Sequence, residues 1–488
     1  MESLEFHREA RDQAVAGVRR GQVIFGLLGL AIAGMLGLRY LQGKPVLSPR
    51  STELLAFVTG QSGGGPPLPA APPPESPAAQ AGGAGAEQGP AAMVDPKGAL
   101  APFFQRLEAL EAGIAKRPVR VLFYGTSEIG FDRVTSQIRR TLQKRFGDGG
   151  KGFVVISRGW RYQRHRDILW TVPPDRWQVF SVLGRRRPDG RYGLGGVLAI
   201  NRATGSQVTY ETVPLSQAMP EGYFPFPSGT RFSKAVLYYQ EFPEGGSVRW
   251  EVDGRLAKTV ATVGPEVADR TALISLQDGP HRVRLTARDG EVRLYGISFE
   301  RPRGFVLDAV MAVGGGGDTQ LGYDPEHLKG QVAARHPDLI VFQFGANEAA
   351  RRGGLSEQEI ERFVLDYEEG VRRTLAGQPD AACLIISSKD LGVRRRNVIE
   401  TAPGVLPIVR GSAEVARRTG CAFLNLFERM GGEGTMRRFW LHEPRLVSSD
   451  LGHLMRQGAV QVGDSIASAL LEDYAQFAHR SRPDAGNG

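Results

Sequence analysis

Between Pro118 and Phe146 the chain reads PVRVLFYGTSEIGFDRVTSQIRRTLQKRF, a run that fits a strand, a tight turn and a helix in succession. Val119, Val121, Leu122, Phe123 and Tyr124 make a short β-branched and aromatic stretch that stops at Gly125-Thr126-Ser127. Beyond it, Val134, Ile138, Leu142 and Phe146 recur at helical spacing. A strand that turns straight into a helix puts the Ser127 hydroxyl at the mouth of an α/β sheet, where open sheets of this kind bind their ligands. The turn is not a G-x-S-x-G elbow, because Ile129 stands where the last glycine belongs. A serine after a strand is also ordinary turn chemistry, so this segment alone does not separate the two readings.

The C-terminal half repeats the pattern. Asp338–Phe344 reads as a strand ending at Gly345-Ala346-Asn347-Glu348. Ser356 and Glu359 have the spacing of a capping box, ahead of a helix with Ile360, Phe363, Val364, Tyr367 and Val371. Ala382–Ile386 is a strand, Val405–Thr419 a helix stopped by Gly420, and Cys421–Phe427 a strand. Ser449-Asp450-Leu451-Gly452-His453 then precedes a helix through Leu471. Strands alternating with helices predict a parallel, doubly wound sheet.

From Arg185 to Pro302 the texture changes to short alternating runs separated by Asp253-Gly254, Asp278-Gly279 and Asp289-Gly290. These predict an antiparallel β-sandwich set into the α/β domain. Trp250, Tyr238 and Tyr239 are either stacking platforms for sugar rings or core.

The N-terminal part is different again. Val23–Leu38 holds no charged or strongly polar residue, and Tyr40-Leu41 extends it, which predicts a spanning helix at the short end of the usual range. Arg19 and Arg20 before it place the N-terminus in the cytoplasm. Arg39, Lys44 and Arg50 on the other side weaken that orientation. The rival is a cleaved signal peptide with Ala31-Ile32-Ala33 as its site, but Met35–Leu38 is apolar beyond it, which favours an uncleaved anchor. Gly60–Pro90, rich in Pro, Ala and Gly, cannot bury enough surface to fold and predicts a flexible tether. Phe103, Leu107, Leu110 and Ile114 mark an amphipathic helix opening the folded region.

The expected organisation is a cytoplasmic segment (1–22), a transmembrane signal anchor (23–41), a flexible linker (42–98), an α/β domain in two parts (99–184 and 303–478) around an inserted β-sandwich (185–302), and a disordered tail (479–488). In 488 residues the formal charge is +9, which favours anionic polymers or membrane surfaces. No nucleic-acid motif accompanies it. Two cysteines, Cys383 and Cys421, make neither a disulfide scaffold nor a zinc cluster. They read first as buried free thiols, and as one disulfide if their strands are neighbours in an oxidising compartment.

Asp450 and His453 are three apart on a loop before a helix. That spacing lets a carboxylate fix an imidazole while its other nitrogen faces a serine. With Ser127 after the first strand and Asn347 after a later one, the set exceeds a chance pair. Gly125-Thr126-Ser127, a glycine within Gly314–Gly317, Gly345-Ala346-Asn347-Glu348 and Asp450-Leu451-Gly452-His453 resemble, in order, the four blocks of the SGNH (GDSL-like) hydrolases. A carbohydrate-binding-like β domain between the first two blocks resembles the peptidoglycan O-acetylesterase branch, and Gly304–Gly315 points to Gly314 as the second-block glycine.

The resemblance implies Ser127 as nucleophile, His453 as general base and acid, and Asp450 as the group that orients the imidazole. It implies an oxyanion hole from the Ser127 and Gly314 N–H groups and the Asn347 amide, with no cofactor or metal. The expected activity is removal of O-acetyl groups from a cell-envelope glycan by an enzyme held on the outer side of the inner membrane. An acyltransferase on the same fold and a non-catalytic glycan-binding scaffold are the alternatives. Thr126 and Glu128 depart from the family's first block, and Glu348 from its third.

Overall fold

The computed structural model describes residues 93–481 apart from 162, 174–175, 213–227, 352 and 397. The anchor and tether expected over 23–98 lie outside this range up to residue 92. Among the described residues no helix is long and apolar enough to cross a membrane.

Five strands form the central sheet: β1 (Val119–Gly125), β2 (Phe305–Met311), β3 (Leu339–Gln343), β4 (Ala382–Ile386) and β5 (Ala422–Leu424). Their order is β2-β1-β3-β4-β5, and every neighbouring pair is parallel. The order reverses direction between β1 and β3, so the switch point of the sheet lies at their carboxyl ends. All five are buried along their length but for Arg120 on β1, which is partly buried, as strands covered on both faces must be.

The alternation of side chains sorts the sheet into two cores. Val119, Val121 and Phe123 point toward α1 (Ala101–Glu111), α2 (Arg133–Phe146) and α6 (Arg456–Ser481). Leu122 and Tyr124 point the other way, toward α3 (Pro325–Arg335), α4 (Glu357–Leu375) and α5 (Val405–Thr419). Most of the periodic positions read from the sequence fall in these two contact sets; Ile114 does not, because α1 stops at Glu111 and leaves it exposed. Ser356 caps α4 through the expected box: its hydroxyl accepts from the Glu359 N–H, and the Glu359 carboxylate accepts from the Ser356 N–H at 2.9 Å.

The antiparallel sandwich is present between β1 and β2. One sheet runs Ala268–Gly279, Phe232–Glu241, Val292–Glu300, Val197–Asn201, Gln178–Ser181, with Gly152–Val155 also paired to Val292–Glu300. The other runs Ile168–Thr171, Gln207–Thr212, Arg282–Arg288, Ser247–Val252, Arg255–Ala261. The sandwich therefore begins ahead of residue 185. Its first strands are only four residues long, too short to show alternation in the sequence.

Trp250, Tyr238 and Tyr239 are core: Trp250 is fully buried between the two sheets, and Tyr238 and Tyr239 are nearly so. None is a sugar platform. The larger sheet is covered twice. Leu237, Tyr239 and Ile297 face the sandwich interior, while Phe153, Val155, Tyr238 and Tyr295 join the same core as β1, α3 and α4.

Cys383 on β4 and Cys421 before β5 are joined in a disulfide, not held as free thiols. The two strands are neighbours, which the sequence left open.

Candidate active site

Because the five strands are parallel, every segment leaving a carboxyl end emerges on one edge. Ser127 follows β1, the glycine run follows β2, Asn347 follows β3 and Lys389 follows β4. Ser127 opens a single helical turn, Ser127–Gly130, directly after the strand.

His453 reaches this turn from the loop before α6. Its Nε2 lies 3.0 Å from the Ser127 hydroxyl oxygen, and its Nδ1 lies 2.7 Å from Asp450 Oδ2. With Nδ1 donating to the carboxylate, Nε2 is left to accept the serine proton. Asp450 is held as firmly as it holds. Its Oδ1 accepts from the Ser448 hydroxyl at 2.6 Å and from the Gly452 and His453 N–H groups at 3.0 and 2.9 Å. Partial burial pushes its carboxyl up. The donors, led by the His453 N–H and the Ser448 hydroxyl, outweigh burial and keep it well below the usual carboxylate range.

The loop itself is braced. Leu451 takes a left-handed φ of 57°, uncommon for a residue with a side chain. Its side chain is buried with Met436 and Val447, and its carbonyl accepts from the Gly392 N–H at 2.9 Å.

The glycine run is gripped by the third block. The Asn347 amide donates to the Gly315 carbonyl at 2.6 Å, and the Glu348 carboxylate accepts from the Gly317 N–H at 3.0 Å. A Cβ at Gly316 would sit 2.0 Å from that carboxylate, so a larger residue there would push Glu348 off the Gly317 N–H. Glu348 thus has a task at the position where the sequence resemblance leads one to expect aspartate. Burial raises its carboxyl above the usual value, against the pull of the Gly317 N–H. Gly315 N–H is bonded to the Ala312 carbonyl. Of the run, the Gly314 and Gly316 N–H groups have no protein acceptor among the described residues. Gly314, at φ 85°, lines a cleft together with Asn347. The Asn347 amide has two N–H donors, so one remains after the bond to Gly315.

Glu128, the carboxylate beside Ser127, is not a bare charge. Lys389 Nζ lies 2.6 Å from its Oε1, with both side chains buried. The same ammonium donates to the Gly452 carbonyl at 2.6 Å. Lys389 therefore bridges the serine turn and the histidine loop. Sequence reasoning missed it. The one signal was a lysine within Ser387-Ser388-Lys389-Asp390, directly after a buried strand end. Among the described residues no group of three or more His, Cys, Asp or Glu side chains gathers as for a metal.

No family model matches the chain, and no curated protein sequence does. Among solved structures, a peptidoglycan O-acetylesterase superposes with a TM-score of 0.64 at 22% identity, over 79% of this chain and 99% of that one. A salicylyl-acyltransferase from a tetracycline biosynthetic pathway gives 0.26 at 14% identity over 63% and 98%. A family two carbohydrate esterase from Clostridium thermocellum gives 0.24 at 10% identity over 62% and 100%. These two scores are too low to argue from. The first shows that this chain shares that protein's fold.

Proposed function

We propose that this chain is a membrane-anchored serine esterase that removes O-acetyl groups from a cell-envelope glycan through an acyl-enzyme. One observation carries the reading: the continuous line from Ser127 through His453 to Asp450, at 3.0 and 2.7 Å, on the edge where the sheet changes direction.

The chemistry follows from that line. The Ser127 oxygen attacks the acetyl carbonyl carbon as its proton passes to His453 Nε2. Asp450, kept ionised by its donors, stabilises the imidazolium. The negative charge on the tetrahedral oxygen falls to the Ser127 and Gly314 N–H groups and the second Asn347 amide hydrogen, and one such donor is worth about 3 kcal/mol of barrier. His453 then returns the proton to the departing sugar oxygen. Water, deprotonated by the same nitrogen, releases acetate from Ser127. Lys389 offsets the Glu128 charge that would otherwise oppose the oxyanion.

The envelope location draws on the apolar stretch Val23–Leu38 behind Arg19-Arg20, with the membrane as partner through that helix. The Cys383–Cys421 bond suits the oxidising side of the membrane.

The test is turnover of p-nitrophenyl acetate by the purified full chain. The wild type is expected to hydrolyse it, and Ser127→Ala to lose at least about 1,000-fold in kcat. A folded wild type that leaves the ester untouched would sink the reading. Acetate release from O-acetylated peptidoglycan then examines the substrate.

A further inference from the structure

A second cleft, about 520 Å³, opens beside the histidine loop. Asp450 and Gly452 form one side, Ala350 and Arg351 after the Asn347 turn another, and Arg394 and Arg395 a third. The last two belong to a hairpin pairing Gly392–Arg395 with Val398–Thr401.

Among the described residues the hairpin arginines lack the carboxylate partners that four arginines on α4 and α5 have, and that Arg351 on the same cleft has in Glu359 at 2.8 Å. On α4 and α5, Arg362, Arg372, Arg373 and Arg417 each pair with a carboxylate at 2.6–2.8 Å on the same helix. Among the described residues, none of Arg394, Arg395, Arg396 and Arg445 has such a partner. Arg394 instead lies over the Trp440 ring at 4.6 Å, and Arg445 lies over it at 3.8 Å. Stacking fixes a guanidinium through its face and leaves its in-plane N–H donors open, the geometry that grips a carboxylate or phosphate with two parallel bonds. The cleft floor is apolar, with Leu391, Val393 and Leu451.

We propose that this cleft is an anion subsite, and that the glycan handled at Ser127 is an acidic one whose carboxylate or phosphate is held by Arg394 and Arg395 while a neighbouring acetyl ester reaches the serine. The proposal rests on the esterase reading for its second half only, since the cleft binds an anion whether or not Ser127 turns over.

The experiment compares acetylated polygalacturonate with acetylated xylan as substrates for the full chain. The wild type is expected to favour the acidic polymer in kcat/KM, with the preference fading as salt rises. Arg394→Gln with Arg395→Gln is expected to lower the acidic-to-neutral ratio about tenfold. Competition separates the sources. Inhibition by polygalacturonate assigns a carboxylate, inhibition by polyphosphate alone assigns a phosphate, and inhibition by neither overturns the proposal. Where polygalacturonate inhibits, a ratio near one in the wild type, or one unchanged in the double variant, overturns it too. If no ester is turned over, calorimetric binding of unacetylated polygalacturonate and of polyphosphate by wild type and double variant still decides. Binding of either that the variant weakens upholds the anion site, and no binding of either, or equal binding, removes it.

Discussion

Lys389 touches two parts of the site at once, and its contacts predict different consequences. Replacing it with Met leaves the Glu128 carboxylate buried without its cation, which costs about 3–5 kcal/mol of stability. It also removes the tie to the Gly452 carbonyl next to His453. Adding Glu128→Gln removes the stranded charge but does not restore the tie. The double variant should therefore regain most of the lost melting temperature while kcat stays roughly 100-fold down, the scale of an ångström-sized misplacement. Because Lys389 positions rather than binds, KM should hardly move. A double variant with wild-type kcat would show that the lysine only balances charge.

At the scale of elements, the start of α2 is locked to the segment before the first long strands of the sandwich by a buried ionic set. Lys151 pairs with Asp132 at 2.8 Å and Arg139 with Asp167 at 2.6 Å. His165 lies in this set with neither ring nitrogen bonded. Burial first, and then repulsion from Lys151, push it down to about 3. The unfolded chain takes up the proton near pH 6.5, so unfolding is favoured as pH falls through the window from 6.5 to 3. Over the first 1.5 pH units below 6.5 the loss amounts to about 1.6 kcal/mol. Urea unfolding at pH 6.5 and 5.0 measures it, and His165→Leu should lose less than wild type over that interval; equal losses would contradict the assignment. The β4–β5 pair carries another lock. The disulfide spans 38 residues, and a loop of that length contributes about 4 kcal/mol. Cys383→Ser with Cys421→Ser should lower Tm by on the order of 10 °C, and an unshifted Tm would mean the bond constrains little.

Over the whole molecule, the sandwich is not a module on a stalk. Tyr238 and Tyr295 share a core with Tyr124, Phe342 and Tyr367. Buried ion pairs cross the same boundary: Arg120 to Glu300 at 2.8 Å, and Arg335 to Glu300, with Asp308 of β2 holding the same guanidinium. His327 on α3 spans it as well, 2.6 Å from Asp269, with its other nitrogen accepting from the Gly193 N–H. Two units joined this way should melt together. Calorimetry of the full chain is expected to give one transition for the described region, and separate transitions for sandwich and α/β domain would refute the shared core.

Strand and helix positions were legible because they follow from local periodicity. The runs at Ala382–Ile386 and Val405–Thr419 are strand and helix with those bounds. The site was legible in part for a related reason: parallel strands put Ser127, Gly314 and Asn347 on one edge whatever the details, and Asp450 and His453 are close enough in sequence to meet. The rest depended on which distant segments come together. Nothing near Glu128 names Lys389, nothing near Cys383 names Cys421, and the burial of Trp250 and Tyr238 depends on which faces the two sheets turn inward. By itself the sequence determined the elements and the residues able to do chemistry, because chain periodicity and side-chain type are local. Only the tertiary structure decided which charges are neutralised, which aromatics are buried and which arginines stay open, because each is set by a neighbour far away along the chain.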